Sequence, residues 1–313
     1  MIELFYFDKK VKQGDIKEIA SFSGKRIWLD VTGITKDEAE QIRTIFRLHP
    51  LTAEDLYNSH TRIKVEEFSD YIFCVFYCIQ KSRSLELIEL DLVLGKNFII
   101  SNHRRKISSI DELKNNTERL SSLFEKGCDF LMHRLIDEEI DNFFPVLETL
   151  DDQIEAIEER VTRRPRPELL TRILEIKRNI VTIKKTAFPQ REKLSFLAKN
   201  EYHLITKKAV PYFRDIYDHA IRVSDSVDNY REAIGNTFDA YMSSVSNNMN
   251  EVMKVLSIIA TIAIPLTVIS GIYGTNFTVL PGAGWTYGFW AMVAAMLLLC
   301  LGMIYFFWKR RWF

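Results

Sequence analysis

The sequence predicts an α+β membrane protein: an N-terminal α/β domain, a long helical stalk and two transmembrane helices. Three observations carry this. Residues 1 to about 104 alternate short apolar runs with polar helical patterns, while the chain from Ile107 onward has no convincing strand. From Leu256 to Trp308 there is no Asp, Glu, Lys, Arg or His, although 27% of the chain is charged. A stretch so unlike the rest belongs in a different solvent.

In the first part, IELFYF, RIWLDV, DYIFCVFYCIQ, LELIELDLVLG and NFIIS read as strands, being rich in aromatic and branched residues. Helices are expected over Lys36 to Phe46 and Thr52 to Asn58. SSIDELKNNTERLSSLFEKG then opens the helical part, so the α/β domain is placed at residues 1–126. Residues 127–210 divide by charge. Ten acids and no base lie between Asp137 and Glu159, and eleven bases against three acids lie between Arg160 and Lys193. Split at RRPRP, these segments predict an antiparallel helical hairpin with complementary arms, or else two independently solvated faces. The zero net charge and low mean hydropathy of the whole chain average over these unlike parts.

Between Pro211 and Tyr273 the only helix breakers are Gly235, Pro265 and Gly271, so one helix of about 60 residues, roughly 90 Å long, is expected. Its soluble part is assigned to residues 211–254 and its transmembrane part to 255–273. An outer loop follows at 274–287, a second span at 288–308 and a basic tail at 309–313. Each span has about the 20 apolar residues that a hydrocarbon core of roughly 30 Å requires. Lys254 precedes the first span and Lys309, Arg310 and Arg311 follow the second, whereas the connecting loop has no positive charge. The positive-inside rule therefore places both termini in the cytoplasm of a cell whose inner membrane the chain crosses twice. MIELFYFDKKVKQ lacks the apolar core of a signal peptide.

Two series of residues share faces of the long helix. Tyr217, Ala220, Val227, Tyr230, Ile234, Phe238, Tyr241 and Val245 suit packing against neighbouring helices. Asp239, Met242, Ser246, Asn250, Met253, Ser257, Ala260, Ile264, Thr267 and Gly271 form a second stripe, stepping by three or four. Several of its members are polar or small, and the stripe continues into the span. A ring of identical helices would turn it toward a central axis and make a pore; a small-residue stripe used only for helix packing is the alternative.

Other chemistries find little support. The four cysteines make no disulfide framework, and neither they nor the six histidines have zinc-finger or HExxH spacing. There is no phosphate loop or nucleophile elbow, so an enzyme is not expected, and no nucleic acid is expected as a partner.

NEVMKVLSIIATIAIPLTVISGIYGTNF resembles the first transmembrane helix of the CorA family of magnesium channels, whose signature is a Gly-Met-Asn turn after that span. HPLTAEDLYN, RIKVEEFSDYIFCVF, PYFRDIYDH, YMSSVSNNMNEVMKVL and KRRWF resemble further CorA segments in the same order. The resemblance implies a homopentameric funnel in a lipid bilayer that takes up Mg²⁺, and with it Co²⁺ or Ni²⁺, driven by membrane potential. It implies that Gly274, Thr275 and Asn276 form the selectivity turn and that Asn250, Met253, Leu256 and Ile264 take pore positions. With Asp239, Met242, Ser246 and Thr267 from the stripe, these make the expected pathway and gate. Asp55, with Glu54 beside it, and Asp215 match intersubunit sites where internal Mg²⁺ closes the family's channels.

Two departures bear on the ion. Thr275 stands where the family has methionine, and LPGAG places Gly282 where many magnesium-transporting members have an acid. An entrance without fixed negative charge concentrates divalent cations less. A proton-coupled zinc transporter resembling ZntB is therefore a second expectation, and a non-conducting pentameric scaffold a third.

Overall fold

A computed structural model of the chain describes residues 1–312 apart from 23, 60, 82–84, 164–165, 200–201, 278–279 and 283. Two residues of the RRPRP break, Arg164 and Pro165, thus lie outside the described residues. The chain divides into two compact units, residues 1–160 with 167–238 and residues 161–166 with 239–313.

The first unit opens with β1 (Ile2–Asp8), β2 (Lys10–Gly14), a 3₁₀ turn, β3 (Arg26–Thr32), α1 (Lys36–Phe46), α2 (Pro50–Tyr57), β4 (Lys64–Glu67), β5 (Tyr71–Lys81), β6 (Leu85–Gly95) and β7 (Phe98–His103). The strands form one sheet in the order β2-β1-β3-β7-β6-β5-β4. Every neighbouring pair is antiparallel except β3 and β7. Helices α3 (Ser108–Asn115), α4 (Thr117–Lys126), α5 (Cys128–Asp141), α6 (Phe143–Arg163) and α7 (Pro167–Lys199) follow.

Side-chain alternation explains why the central strands read as continuous apolar runs. Leu29, Val31, Phe73, Val75, Val93 and Ile100 cluster with Ala39 and Ile42 of α1 and Leu56 of α2 on one face. Their neighbours Trp28, Ile72, Cys74, Leu92 and Ile99 are equally buried on the other face, where α5 packs against β5, β6 and β7. A sheet covered on both faces needs apolar residues at odd and even positions alike.

The expected strands all form. Helix α1 has the expected bounds because Thr35 and Glu38 make a reciprocal capping box. Three features were not anticipated. The short polar strands β2 and β4 are the sheet's two edges, where charge is favoured and hydrophobic pattern is weak. Helix α2 begins at Pro50, two residues before the expected Thr52, because the His49 ring accepts from the Leu51 N–H and proline suits the first helical position. Third, the charged arms are not simply complementary. Lys184 and Arg191 on α7 pair with Asp228 and Asp225 of the following helix, at 2.8 and 3.7 Å, and Thr237 of that helix donates to Glu158 on α6 at 2.9 Å.

That following helix, α8 (Val210–Tyr273), runs without a break for 64 residues. None of the first series on it is exposed: Ala220, Val227, Ile234 and Tyr241 are buried and Tyr217, Tyr230, Phe238 and Val245 half-buried. Helix α9 (Gly288–Lys309) completes the second unit. α8 and α9 are the two described helices long and apolar enough to cross a membrane.

A buried ion-pair network joins α3 to the sheet. Lys114 reaches Asp30 at 2.5 Å and Glu3 at 2.6 Å, and His103 approaches Asp30 at 3.2 Å. Burial acts to raise the Asp30 pKa, but His103 and Lys114 outweigh it and hold the carboxyl below its ordinary value. Its contribution to stability is thus present above the unfolded-state pKa of about 3.9 and lost as pH falls through the lower folded-state value. Lys114→Met strands the buried carboxylate and should cost about 3–5 kcal/mol, read as a lowered denaturant midpoint for the first unit at pH 7.

Candidate functional site

The α8 stripe is exposed throughout. Asp239, Met242, Ser246, Asn250, Met253, Ser257, Ala260, Ile264, Thr267 and Gly271 are all open in the single chain, as is Leu256. Met242, Met253, Leu256 and Ile264 are 49%, 54%, 57% and 59% exposed, and Val252, Val255 and Ile259 off the stripe are 65%, 53% and 58% exposed, so this part of α8 is bare around most of its circumference. Among the described residues nothing covers the stripe.

Hydroxyls on this helix are oriented by its own backbone. Thr261 donates to the Ser257 carbonyl at 2.7 Å and Thr267 to that of Ala263 at 2.9 Å, while Ser270 donates to the Thr267 carbonyl at 3.1 Å. With each proton committed to the helix, the oxygens present lone pairs outward and act as acceptors, which is what a cation or its water shell requires. Pro265 has no N–H for the carbonyl of Thr261 and so leaves another oxygen without its usual helical donor.

The turn at Gly274, Thr275 and Asn276 closes α8. Gly274 donates to the Ser270 carbonyl at 2.9 Å and Thr275 to that of Ile272 at 3.3 Å. The Thr275 hydroxyl also donates to the Ile272 carbonyl, at 2.7 Å, so its proton is committed to the helix end. A Cβ on Gly274 would stand 3.0 Å from the Ser270 oxygen, inside the space the turn uses. Asn276 is exposed beyond it. Tyr273 donates to the Pro281 carbonyl at 3.1 Å and ties the loop to the helix end. The chain then turns at Gly282 with φ of 76°, where a side chain would be strained. Lys309 ends α9, and Arg310 and Arg311 follow it, all three exposed.

The expected acidic positions lie in the first unit, and their surroundings differ. Asp55 on α2 is half-buried and paired with Lys64 of β4 at 2.7 Å; Lys64 also reaches Glu66 at 2.9 Å. Burial works against the Lys64 charge, but bonds to Asp55 and Glu66 outweigh it and raise its pKa. Asp55 is therefore not a bare carboxylate awaiting a cation. A divalent ion must compete with an ammonium already in place. Glu54 and Asp215 are exposed.

Sequence reasoning missed a third cluster. Asp137 and Asp141 on α5 and His219 on α8 offer ligand atoms within 4.8 Å of one another, with His219 Nδ1 2.9 Å from Asp141. Asp215 precedes His219 by four residues and so shares its helical face. The i, i+4 spacing of Asp137 with Asp141 and of Asp215 with His219 was a readable signal, hidden by the length of the acidic run around it.

A sequence model described as CorA-like Mg²⁺ transporter protein matches residues 23–311. The chain belongs to that family. Among CorA-like relatives, a Thermotoga maritima protein named cobalt/magnesium transport protein CorA is 38% identical over 311 residues, covering 97% of this chain and 89% of that protein. The zinc transport protein ZntB of Cronobacter sakazakii is more distant, at 22% identity over 91% of this chain and 87% of its own length. The complete structure of the CorA magnesium transporter from Methanocaldococcus jannaschii superposes with a TM-score of 0.87 at 24% identity, covering 100% of this chain and 99% of that one, which establishes the CorA fold over the full length.

The loop between α8 and α9 yields one test. A Cβ on Gly288 would meet the Gly282 backbone oxygen at 2.6 Å, closer than such contacts form. Gly288→Ala should lower the stability of the second unit in detergent by about 1–3 kcal/mol, seen as a drop in thermal midpoint. An unchanged midpoint would mean the loop is not packed as described.

Proposed function

We propose that identical copies of this chain, five by the family's resemblance, surround a pore lined by α8 and admit Mg²⁺, with Co²⁺ or Ni²⁺ as further ions, into the cytoplasm. The observation that carries the reading is the exposed α8 stripe, polar at Asp239, Ser246, Asn250 and Thr267 and continuous into a segment with no Asp, Glu, Lys, Arg or His. One two-span chain cannot enclose an aqueous path, whereas a closed ring covers every copy of the stripe at once. Met253, Leu256 and Ile264 form apolar collars that block ions by dewetting when narrow.

Magnesium sheds its waters reluctantly, so neutral oxygens at Asn276 and its copies hold it through the hydration shell. A membrane potential of about 100 mV supplies about 2.3 kcal/mol per charge, or about 4.6 for a divalent ion, sufficient for uptake without ATP. Both termini then lie in the cytoplasm, where Asp55, Glu54 and Asp215 sense internal Mg²⁺ and the Asp137, Asp141 and His219 cluster offers a further ligand set. Cation bridging of acids between neighbouring chains holds the ring closed, and its loss loosens it.

The ZntB-like alternative keeps one supporting observation, the acid-free entrance with Thr275 in the turn. Flux into proteoliposomes of Mg²⁺, Zn²⁺, Co²⁺ and Ni²⁺ at fixed potential, with and without a pH gradient, separates the two. Mg²⁺ entry driven by potential and indifferent to pH is expected; Zn²⁺ entry that requires a proton gradient overturns the assignment.

Lys64 gives a second test. Lys64→Met removes the ammonium that competes for Asp55, so the Mg²⁺ concentration that half-protects the protein from proteolysis should fall several-fold, while Asp55→Asn should raise it. A midpoint that neither substitution moves removes Asp55 from the sensor.

A further inference from the structure

We propose that the folded C-terminal cap of α9 is a binding site for the phosphate headgroup of an anionic phospholipid. The proposal rests on α9 being a membrane span and goes beyond the pore reading.

The segment after α9 is a built structure and not a loose charged tail. Arg311 adopts the left-handed conformation, with φ of 56°, which residues carrying a β-carbon enter only when their surroundings hold them there. What holds it is a complete Schellman motif: the Arg311 N–H donates to the Trp308 carbonyl and the Trp312 N–H to that of Phe307, both at 3.0 Å. The Phe307 and Trp312 rings meet at 5.5 Å, the apolar contact that completes such a cap, and Phe307 is buried.

The cap fixes where the cations sit. The Arg310 guanidinium lies 5.7 Å from the Phe306 ring centre, while Lys309 and Arg311 flank it and stay exposed. Tyr305 and Trp308 pack together at 6.3 Å, and both are exposed, at 60% and 68%. Amphipathic rings of this kind settle at headgroup level and hold the helix end there. Three cations with no Asp or Glu among the described residues 256–312, next to a 22-residue apolar helix, complement a phosphodiester anchored by acyl chains. The other end of the second unit differs. The described part of its loop has Trp285 and Tyr287 exposed and the first turn of α9 has Trp290 exposed, with no charge among them, so that end offers rings without an anion partner. A diffuse basic tail would attract an anionic surface too; the cap adds a fixed guanidinium geometry that accepts one headgroup in place of its neighbours.

The test uses the full chain with Trp285 and Trp290 replaced by Phe, reconstituted in phosphatidylcholine vesicles with brominated phosphatidylglycerol or brominated phosphatidylcholine as quencher of Trp308 and Trp312; the emission of Trp28, fully buried in the first unit, is subtracted with a control in which Trp308 and Trp312 are also Phe. Quenching should favour the anionic lipid by about five-fold or more, the scale of one or more basic residues at a membrane surface. Arg310→Gln with Arg311→Gln should abolish the preference. Arg311→Gly, which suits the left-handed position but removes one charge, should keep part of it. Trp312→Ala keeps every charge and dissolves the cap, and should lose most of the preference as read by Trp308. Equal quenching by the two lipids overturns the proposal, as does an undiminished preference in Trp312→Ala, which would assign it to charge alone. Displacement of the anionic lipid by millimolar inorganic phosphate would make the occupant a soluble anion and equally overturn it. Mg²⁺ entry into pure phosphatidylcholine vesicles, measured in parallel, reports on the pore reading separately: transport without lipid preference sinks this proposal alone.

Discussion

The structure depends on one constraint: a polar face on α8 that nothing among the described residues covers. Ser246, Asn250 and Thr267 are exposed beside Met253, Leu256 and Ile264, and the helix carrying them continues into a segment without Asp, Glu, Lys, Arg or His. Lipid cannot solvate the polar members, and water does not favour the apolar ones. A closed ring of copies satisfies both, because it gives the stripe an interior of its own. The opposite requirement is met within the chain, since Ala220, Val227, Ile234 and Tyr241 on the other face are buried.

Within the first unit, Phe213, Ile216, Ala220, Val227 and Ile234 of that helix are buried. The unit's sheet is buried on both faces, and its charged groups are placed in pairs: Lys114 with Asp30 and Glu3, Lys64 with Asp55 and Glu66, Lys184 with Asp228. For the sensing role proposed for Asp55, the Lys64 pair means that a divalent cation binds only by displacing an ammonium, which weakens the site and moves its response to higher ion concentrations.

Much of this was legible in the sequence, and the reason differs by element. The 64-residue helix was readable because Pro211 and the glycine of the turn bracket a run with few breakers. The central strands were readable because burial on both faces leaves continuous apolar runs. β2 and β4 were not, since KVKQG and KVEE are edge strands held by backbone pairing. The stripe could be traced by spacing alone, but its exposure could not. The partner of Asp55 was hidden because Lys64 lies nine residues away in chain and on another element. The pairing of α7 with α8 was hidden for the same reason: charge counts report sign and not distance. The cap at Arg311 had no sequence signal, since the position usually taken by glycine is filled by arginine.

The central claim is that the stripe faces water in the assembled protein. Single cysteines placed along α8 in a Cys300→Ser background, at Asn250, Met253, Ile264 and Thr267 and at the off-stripe positions Ile258, Ile262 and Ile269, test it directly by reaction with a charged thiol reagent. The account predicts modification of the stripe positions, with loss of Mg²⁺ flux, and little reaction off the stripe. Reaction that follows depth in the membrane and not helical face, or modification of the stripe that leaves flux intact, would contradict it.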